Sequence, residues 1–242
     1  TEPCAIVDSY MAAMSLFRLT RQSEYAVLAN RIYYNALLAS QRPNGGFGCD
    51  LCSGTEQSGA FVQANADVYE AWWCCSMRGA EGLCSAASNS ILTENDQIWF
   101  VHYLSGQYRT ENADIVVKTA YPDENKLHIS LRGVKRELQL RLYVPQGAKD
   151  AAVRVNGQPQ RVQPTEFLHI SVCGDTELEL SFLLPPRNVP AAGFFTAEHA
   201  QITMQGDQIL GRDERGKQIF LADRIYTEHD LQCKTAILHL PV

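Results

Sequence analysis

"ELQLRLYVP", residues 137–145, places Leu138, Leu140, Leu142 and Val144 on one side of the chain and Gln139, Arg141 and Tyr143 on the other. A period of two belongs to a strand with one buried face. The same alternation recurs in "QIWFVHYL", "ADIVVKTAY", "KLHISLRG", "AAVRVNG", "EFLHISV" and "ELELSFLL", all after Asp96. Turn signals separate these runs, and Asn156-Gly157 within "VNGQPQRV" suits the type I′ turn of a hairpin. Short strands at regular spacing predict an antiparallel β-sandwich. "LLPPRNVPAAG" closes the run, and weaker strands follow through Leu240.

Before Asp96 the period is helical. "AIVDSYMAAMSLFRLT", residues 5–20, carries Ile6, Val7, Met11, Met14 and Phe17 at helical spacing. After a break at "RQS", with Ser23 as the expected N-cap, "EYAVLANRIYYNALLAS" places Tyr25, Leu28, Ile32 and Leu37 on one side. "QRPNGGFGCDLCSGTEQSG" is rich in turn residues and predicts a loop. A third helix is expected from about Met77 to Ile91, weakened by Gly79 and Gly82. The fold class predicted is therefore α+β, with helices in residues 1–95 and a β-sandwich domain over 96–242.

The chain has 242 residues, of which 45% are hydrophobic and 20% charged, as in ordinary globular proteins. A net charge of −6, with no basic cluster interleaved with aromatics, excludes a nucleic-acid surface. No apolar run is long enough for a membrane span.

Six of the eight cysteines, Cys4, Cys49, Cys52, Cys74, Cys75 and Cys84, fall in the first third. Such clustering suits a site better than scattered staples. Cys74 and Cys75 are adjacent, in "WWCCSMRG", and a bond between neighbours strains both backbone and disulfide. Each thiol therefore needs a distant partner, a metal or burial. Zinc takes about four N, S or O donors, thiolate among the favoured ones. One candidate set is Cys49, Cys52 and the vicinal pair; another is Glu2, Cys4 and the pair.

The chain resembles the C-terminal part of glycoside hydrolase family 127, the β-L-arabinofuranosidase group. The likeness rests on Thr1-Glu2-Pro3-Cys4, on Arg31, Tyr34, Asn35, Leu37 and Leu38 in the second helix, and on "WWCCSMRGAEGL". "VRVNG" and "FLLPPR" resemble its C-terminal sandwich. The resemblance implies that the helices belong to an (α/α)6 barrel and that zinc is held by Glu2, Cys4, Cys74 and Cys75. It further implies that Cys74 is the nucleophile of a retaining glycosidase, a role usually filled by a carboxylate. Metal coordination would supply the thiolate at neutral pH. The implied substrate is an arabinose-containing glycan. The family's acid/base glutamate lies upstream of the Thr-Glu-x-Cys motif with which this chain opens, so residues 1–242 are expected to be the metal and nucleophile part of such a site. The missing N-terminal part, and a second copy in a homodimer, are the protein partners considered; a bacterial cytoplasm and a periplasm both fit. Asn30 stands where the family usually has an acidic residue, Ser76-Met77-Arg78 where prolines are common, and Cys49 and Cys52 in a stretch without cysteines.

Two rival functions stand beside this. One is a non-catalytic module with a structural zinc and a glycan-supporting sandwich. The other is a thiol oxidoreductase using Cys49 and Cys52, weakened by the lack of a preceding thioredoxin-like strand. Trp72 and Trp73 are expected in a core rather than on a sugar. Glu56, Asp67 and Glu70 are expected as solvated surface. His102, His128 and His169 are read as half-exposed strand residues, and His199, His229 and His239 lack ligand spacing. Cys84, Cys173 and Cys233 are expected to be small buried hydrophobes.

Overall fold

The computed structural model describes residues 3–41, 46–47, 74–163, 165–190, 201–214 and 217–220. The chain is α+β, and it divides into two compact units, Thr1–Ser85 with Pro186–Val242, and Ala86–Pro185.

The first unit opens with α1 (Pro3–Thr20) and α2 (Ser23–Ile32), which pack against each other. Proline is well placed at a helix start, because its missing N–H has no partner there in any case. The helix ends when Arg21 enters the left-handed region at φ 57° and its N–H returns to the Phe17 carbonyl at 2.8 Å. The buried face of α1 is Ile6, Val7, Tyr10, Ala13, Met14 and Phe17, so Tyr10 takes the place expected of Met11. In α2 the expected face is rotated. Ala26, Val27, Ala29 and Asn30 are buried, while Leu28 is exposed. Small alanines let this helix approach its neighbour closely, and the amide of Asn30 is satisfied by the Ala26 carbonyl at 3.0 Å. Ser23 opens α2 rather than capping it; the N-cap is Gln22, without a side-chain bond.

The second helical pattern does not continue as an α-helix. Tyr33–Leu37 form a π-helical turn, followed by a 3-10 turn at Leu38–Ser40. Asn35 explains the widening. Its Nδ2 donates to the carbonyls of Arg31 (2.8 Å) and Asp207 (2.7 Å), and its Oδ1 accepts the Ile209 N–H at 2.6 Å.

Helix α3 (Cys74–Asn89) starts three residues earlier than expected and ends before Ile91, which belongs to β1 (Ile91–Glu94). Its glycines do not weaken it. Cys75, Gly79, Gly82 and Ala86 form its buried stripe, and the glycines are where neighbours come closest. A Cβ on Gly79 would lie 2.2 Å from the Phe47 ring, and one on Gly82 would lie 2.7 Å from Val7. The helical cost of glycine, about 1 kcal/mol against alanine, is accepted for contact that no other residue permits.

In the second unit, β1 pairs with β2 (Gln97–Phe100). Then come β3 (Gly106–Arg109), β4 (Asp114–Thr119), β5 (Lys126–Arg132), β6 (Leu138–Tyr143), β7 (Lys149–Val155), β8 (Gln158–Gln160), β9 (Phe167–Val172) and β10 (Thr176–Leu183). One sheet has the order β1-β2-β6-β9 and the other β3-β4-β5-β10-β7-β8. The six-stranded sheet is antiparallel throughout. The four-stranded one departs from the antiparallel expectation, since β2 and β6 run parallel, with Trp99 beside Arg141. The chain leaves this sheet after β2, makes β3, β4 and β5 in the other, and returns. A strand regained by such a crossover, unlike one joined by a hairpin, can lie parallel. Each sheet buries one face: Leu127, Ile129, Leu131, Leu178 and Leu180 in one, Ile98, Phe100, Leu138, Leu140 and Leu142 in the other. Alternation fails at Tyr143, which is buried against the Phe167 ring and receives the Tyr103 hydroxyl at its carbonyl. Asn156 and Gly157, at φ 50° and 78°, form the predicted hairpin turn between β7 and β8.

After Pro186 a third, antiparallel sheet forms from β11 (Arg187–Pro190), β12 (Gln201–Gln205), β13 (Gln208–Glu214) and β14 (Lys217–Phe220). It groups with the helices. Among the described residues no helix is long and apolar enough to cross a membrane.

Candidate metal centre

Three cysteines meet in the first unit. Cys4 lies in the first turn of α1, and Cys74 and Cys75 open α3. Their sulfurs lie within 4.8 Å of one another. Successive helical residues point about 100° apart. Hence Cys75 is buried, Cys74 is exposed and Cys4 lies between these extremes.

The Cys74 and Cys75 sulfurs are 4.0 Å apart, about twice the ~2.05 Å of a disulfide. They match another geometry well. Sulfurs at ~2.3 Å from a tetrahedral zinc are separated by about 3.8 Å along each edge. The residues present therefore fit a thiolate-bound ion, and among the described residues this is the one group with metal-binding potential. The helix positions add to the fit. Both chain segments present their cysteines in a first turn, where backbone N–H groups and the helix dipole favour anionic sulfur.

The neighbourhood is organised by residues that sequence reasoning passed over. The Ser76 hydroxyl donates to the Phe47 carbonyl and accepts the Phe47 N–H, both at 3.3 Å. Phe47 thus packs into the space left by Gly79, one turn along α3 from the cysteines. Arg78 makes ion pairs with Asp8 of α1 and Glu81 of α3. Its pKa is raised, chiefly by the Glu81 hydrogen bond; the charges of Asp8, Glu81 and Cys4 add to this against some lost hydration. The available signal was spacing: Asp8 follows Cys4 by four residues, and Arg78 follows Cys74 by four.

Glu2, Cys49, Cys52, Glu56, Asp67, Glu70, Trp72, Trp73, His199, His229, Cys233 and His239 lie outside the described residues. Two other expectations are corrected. Cys84 and Cys173 are exposed rather than buried, Cys84 because it falls off the small-residue stripe of α3. His102 is not on a half-exposed strand, since β2 has ended at Phe100; it is buried, and burial lowers its pKa to about 3. His128 and His169 do lie on strands, half-buried and exposed respectively.

Comparison with known proteins places this geometry in a family. Residues 1–88, which contain all three cysteines, match the model of the β-L-arabinofuranosidase GH127 catalytic domain. Residues 97–185, which contain β2 to β10, match that of the GH127 middle domain. The chain belongs to glycoside hydrolase family 127. Solved structures agree in fold. One is a glycoside hydrolase (TM-score 0.75, 18% identity, 87% of this chain and 38% of that one). Another is a GH127 β-L-arabinofuranosidase from Geobacillus stearothermophilus T6 (TM-score 0.68, 16% identity, 87% and 36%). A third is a GH127 β-arabinofuranosidase (TM-score 0.65, 20% identity, 86% and 36%). This chain thus spans well under half the length of these structures. No curated protein matches it in sequence.

Proposed function

We propose that this chain is the metal- and nucleophile-bearing part of a retaining glycoside hydrolase acting on β-L-arabinofuranosides in an arabinose-containing glycan. The observation that carries the reading is the meeting of Cys4, Cys74 and Cys75 within 4.8 Å, in the segment matched to the family's catalytic domain. In this reading the helices contribute to an (α/α)6 barrel, the two sheets of residues 91–183 form a β-sandwich, and Glu2 completes the ligand set of a zinc ion. The ion, when bound, holds the thiols as thiolates at neutral pH.

Cys74 is assigned as nucleophile because it is the exposed sulfur, while Cys75 is buried. Its Sγ forms a bond to the anomeric carbon as the bond to the leaving oxygen breaks, and that oxygen takes a proton from a general acid. Water, deprotonated by the conjugate base of that acid, then displaces the sulfur and regenerates the thiolate. Among the described residues the candidate centre contains sulfur donors alone, so the acid/base carboxyl is assigned to residues outside them. The alternative reading is a non-catalytic module in which the ion is structural and the sheets support or bind glycan.

Elemental analysis after purification without added metal is expected to find about one zinc per chain. In an enzyme containing the complete site, Cys74→Ser is expected to retain part of its metal and lose essentially all turnover, because a serine hydroxyl is a poor replacement for thiolate. A mechanism-based arabinofuranosyl electrophile should label Cys74, located by peptide mass spectrometry. Labelling of a carboxylate instead, or equal loss of metal and fold in Cys74→Ser and Cys75→Ser, would favour the structural-ion alternative.

A further inference from the structure

The three sulfurs come from helices separated by some seventy residues of chain, so something must fix how α3 lies along α1. The sulfurs alone cannot do so before a metal arrives, since thiolates brought together repel one another. One turn further along both helices is a second point of contact. Asp8 is four residues beyond Cys4, and Arg78 is four residues beyond Cys74. Residues at i and i+4 lie on the same helical face, about 6 Å apart along the axis. The Asp8–Arg78 ion pair therefore repeats, one turn on, the approach that Cys4 and Cys74 make.

Two contacts one turn apart fix what a single contact leaves open, the slide of one helix along the other and its rotation about its own axis. Arg78 is suited to this. Its planar fork binds Asp8 through Nη2 while Nη1 is held by Glu81 of its own helix, so the guanidinium is oriented before it reaches across. The Ser76–Phe47 bonds and the close packing at Gly79 hold the same turn of α3 from another side.

We propose that Asp8 and Arg78 are positioning residues for the metal centre: their ion pair sets the register of α1 against α3 so that Cys4 reaches the Cys74–Cys75 pair. This rests on the metal-centre reading above. The pair touches neither substrate nor metal. Its effect is on the free energy needed to bring the third sulfur into place, so it appears as metal affinity rather than as loss of fold. Asp8 is largely exposed and Arg78 partly so, which keeps the expected effect moderate.

The test is cobalt(II) titration of the reduced chain, followed by the thiolate-to-cobalt charge-transfer band, with helix content monitored by circular dichroism. Asp8→Asn and Arg78→Gln should each weaken cobalt binding about three- to tenfold at unchanged helix content. Glu81→Gln, which removes only the partner within α3, should weaken it less than about twofold. The exchanged pair Asp8→Arg/Arg78→Asp should recover most of the loss, which a merely local structural defect would not allow. High salt should weaken binding more in the unmodified chain than in Arg78→Gln, which has no Asp8 ion pair left to screen. Equal affinities in all these proteins would overturn the positioning role and leave the metal centre standing. No cobalt–thiolate band in the unmodified chain would overturn both.

Discussion

The two units solve the packing problem in opposite ways. In residues 86–185 the core is filled by side chains: leucines of β5, β6 and β10 are fully buried at alternate positions, with aromatic rings closing the ends. In the helical unit the critical surface of α3 is made by leaving side chains out. Gly79 lets Phe47, and Gly82 lets Val7 and Leu37, come against the backbone itself. A helix stripped of bulk can bring two segments close enough for three sulfurs to share one ion.

The contrast predicts unequal responses to substitution. Removing bulk from the strand unit should have the largest effect. Leu140→Ala, at a fully buried position in the four-stranded sheet, is expected to cost about 2–5 kcal/mol. Hydrogen exchange across residues 97–183 should locate the loss there, with protection in α1 and α2 little changed.

Acid separates the units next. Burial lowers the His102 pKa from its ordinary 6.5 to about 3 in the folded strand unit. Between these values the unfolded chain binds a proton that the folded chain does not, so stability is full above about pH 6.5 and falls as the pH drops towards 3. The expected loss is a few kcal/mol by pH 3. Urea melts of the native chain and of His102→Gln as a function of pH should diverge in slope over that window.

The smallest effect concerns α3. Gly79→Ala forces a methyl group into the Phe47 ring, with an expected cost of about 1–3 kcal/mol, partly offset by better helix propensity. Adding Phe47→Ala should make the same Gly79→Ala change neutral or favourable, a coupling that a double-mutant cycle measures.

The strand unit was largely legible in sequence because alternation reports burial directly. Leu138, Leu140 and Leu142 behave as their period demands, and Asn156-Gly157 turns where it should. Short β1 and β3 escaped, since one buries a single residue and the other none, so no apolar alternation marks them. The parallel pairing of β2 with β6 also escaped, since nothing local distinguishes a crossover partner from a hairpin partner. In the helical unit, pattern served less well. Apolar Leu28 is exposed while polar Asn30 is buried, because a hydrogen bond to Ala26 satisfies the amide. Gly79 and Gly82 were expected to weaken α3 because propensity is local and close packing is not. The cysteines of the centre were visible as chemistry, and three of the four expected ligands lie in described residues and converge. Asp8 and Arg78 escaped because charged residues on helices are common, and only the matched spacing sets these apart.

The side chain of Asn35 has a consequence for how the protein is born. Its amide joins the π-helical turn to Asp207 and Ile209, partners 172 and 174 residues away in sequence. Translation delivers the chain in order, at about 5–20 residues per second. Residues 86–185 are contiguous and can fold as they leave the ribosome. The turn at Tyr33–Leu37 must wait until the hairpin beyond residue 200 emerges before the Asn35 amide meets Asp207 and Ile209. For several seconds of synthesis the turn that Asn35 anchors is therefore made but not yet held by its distant partners.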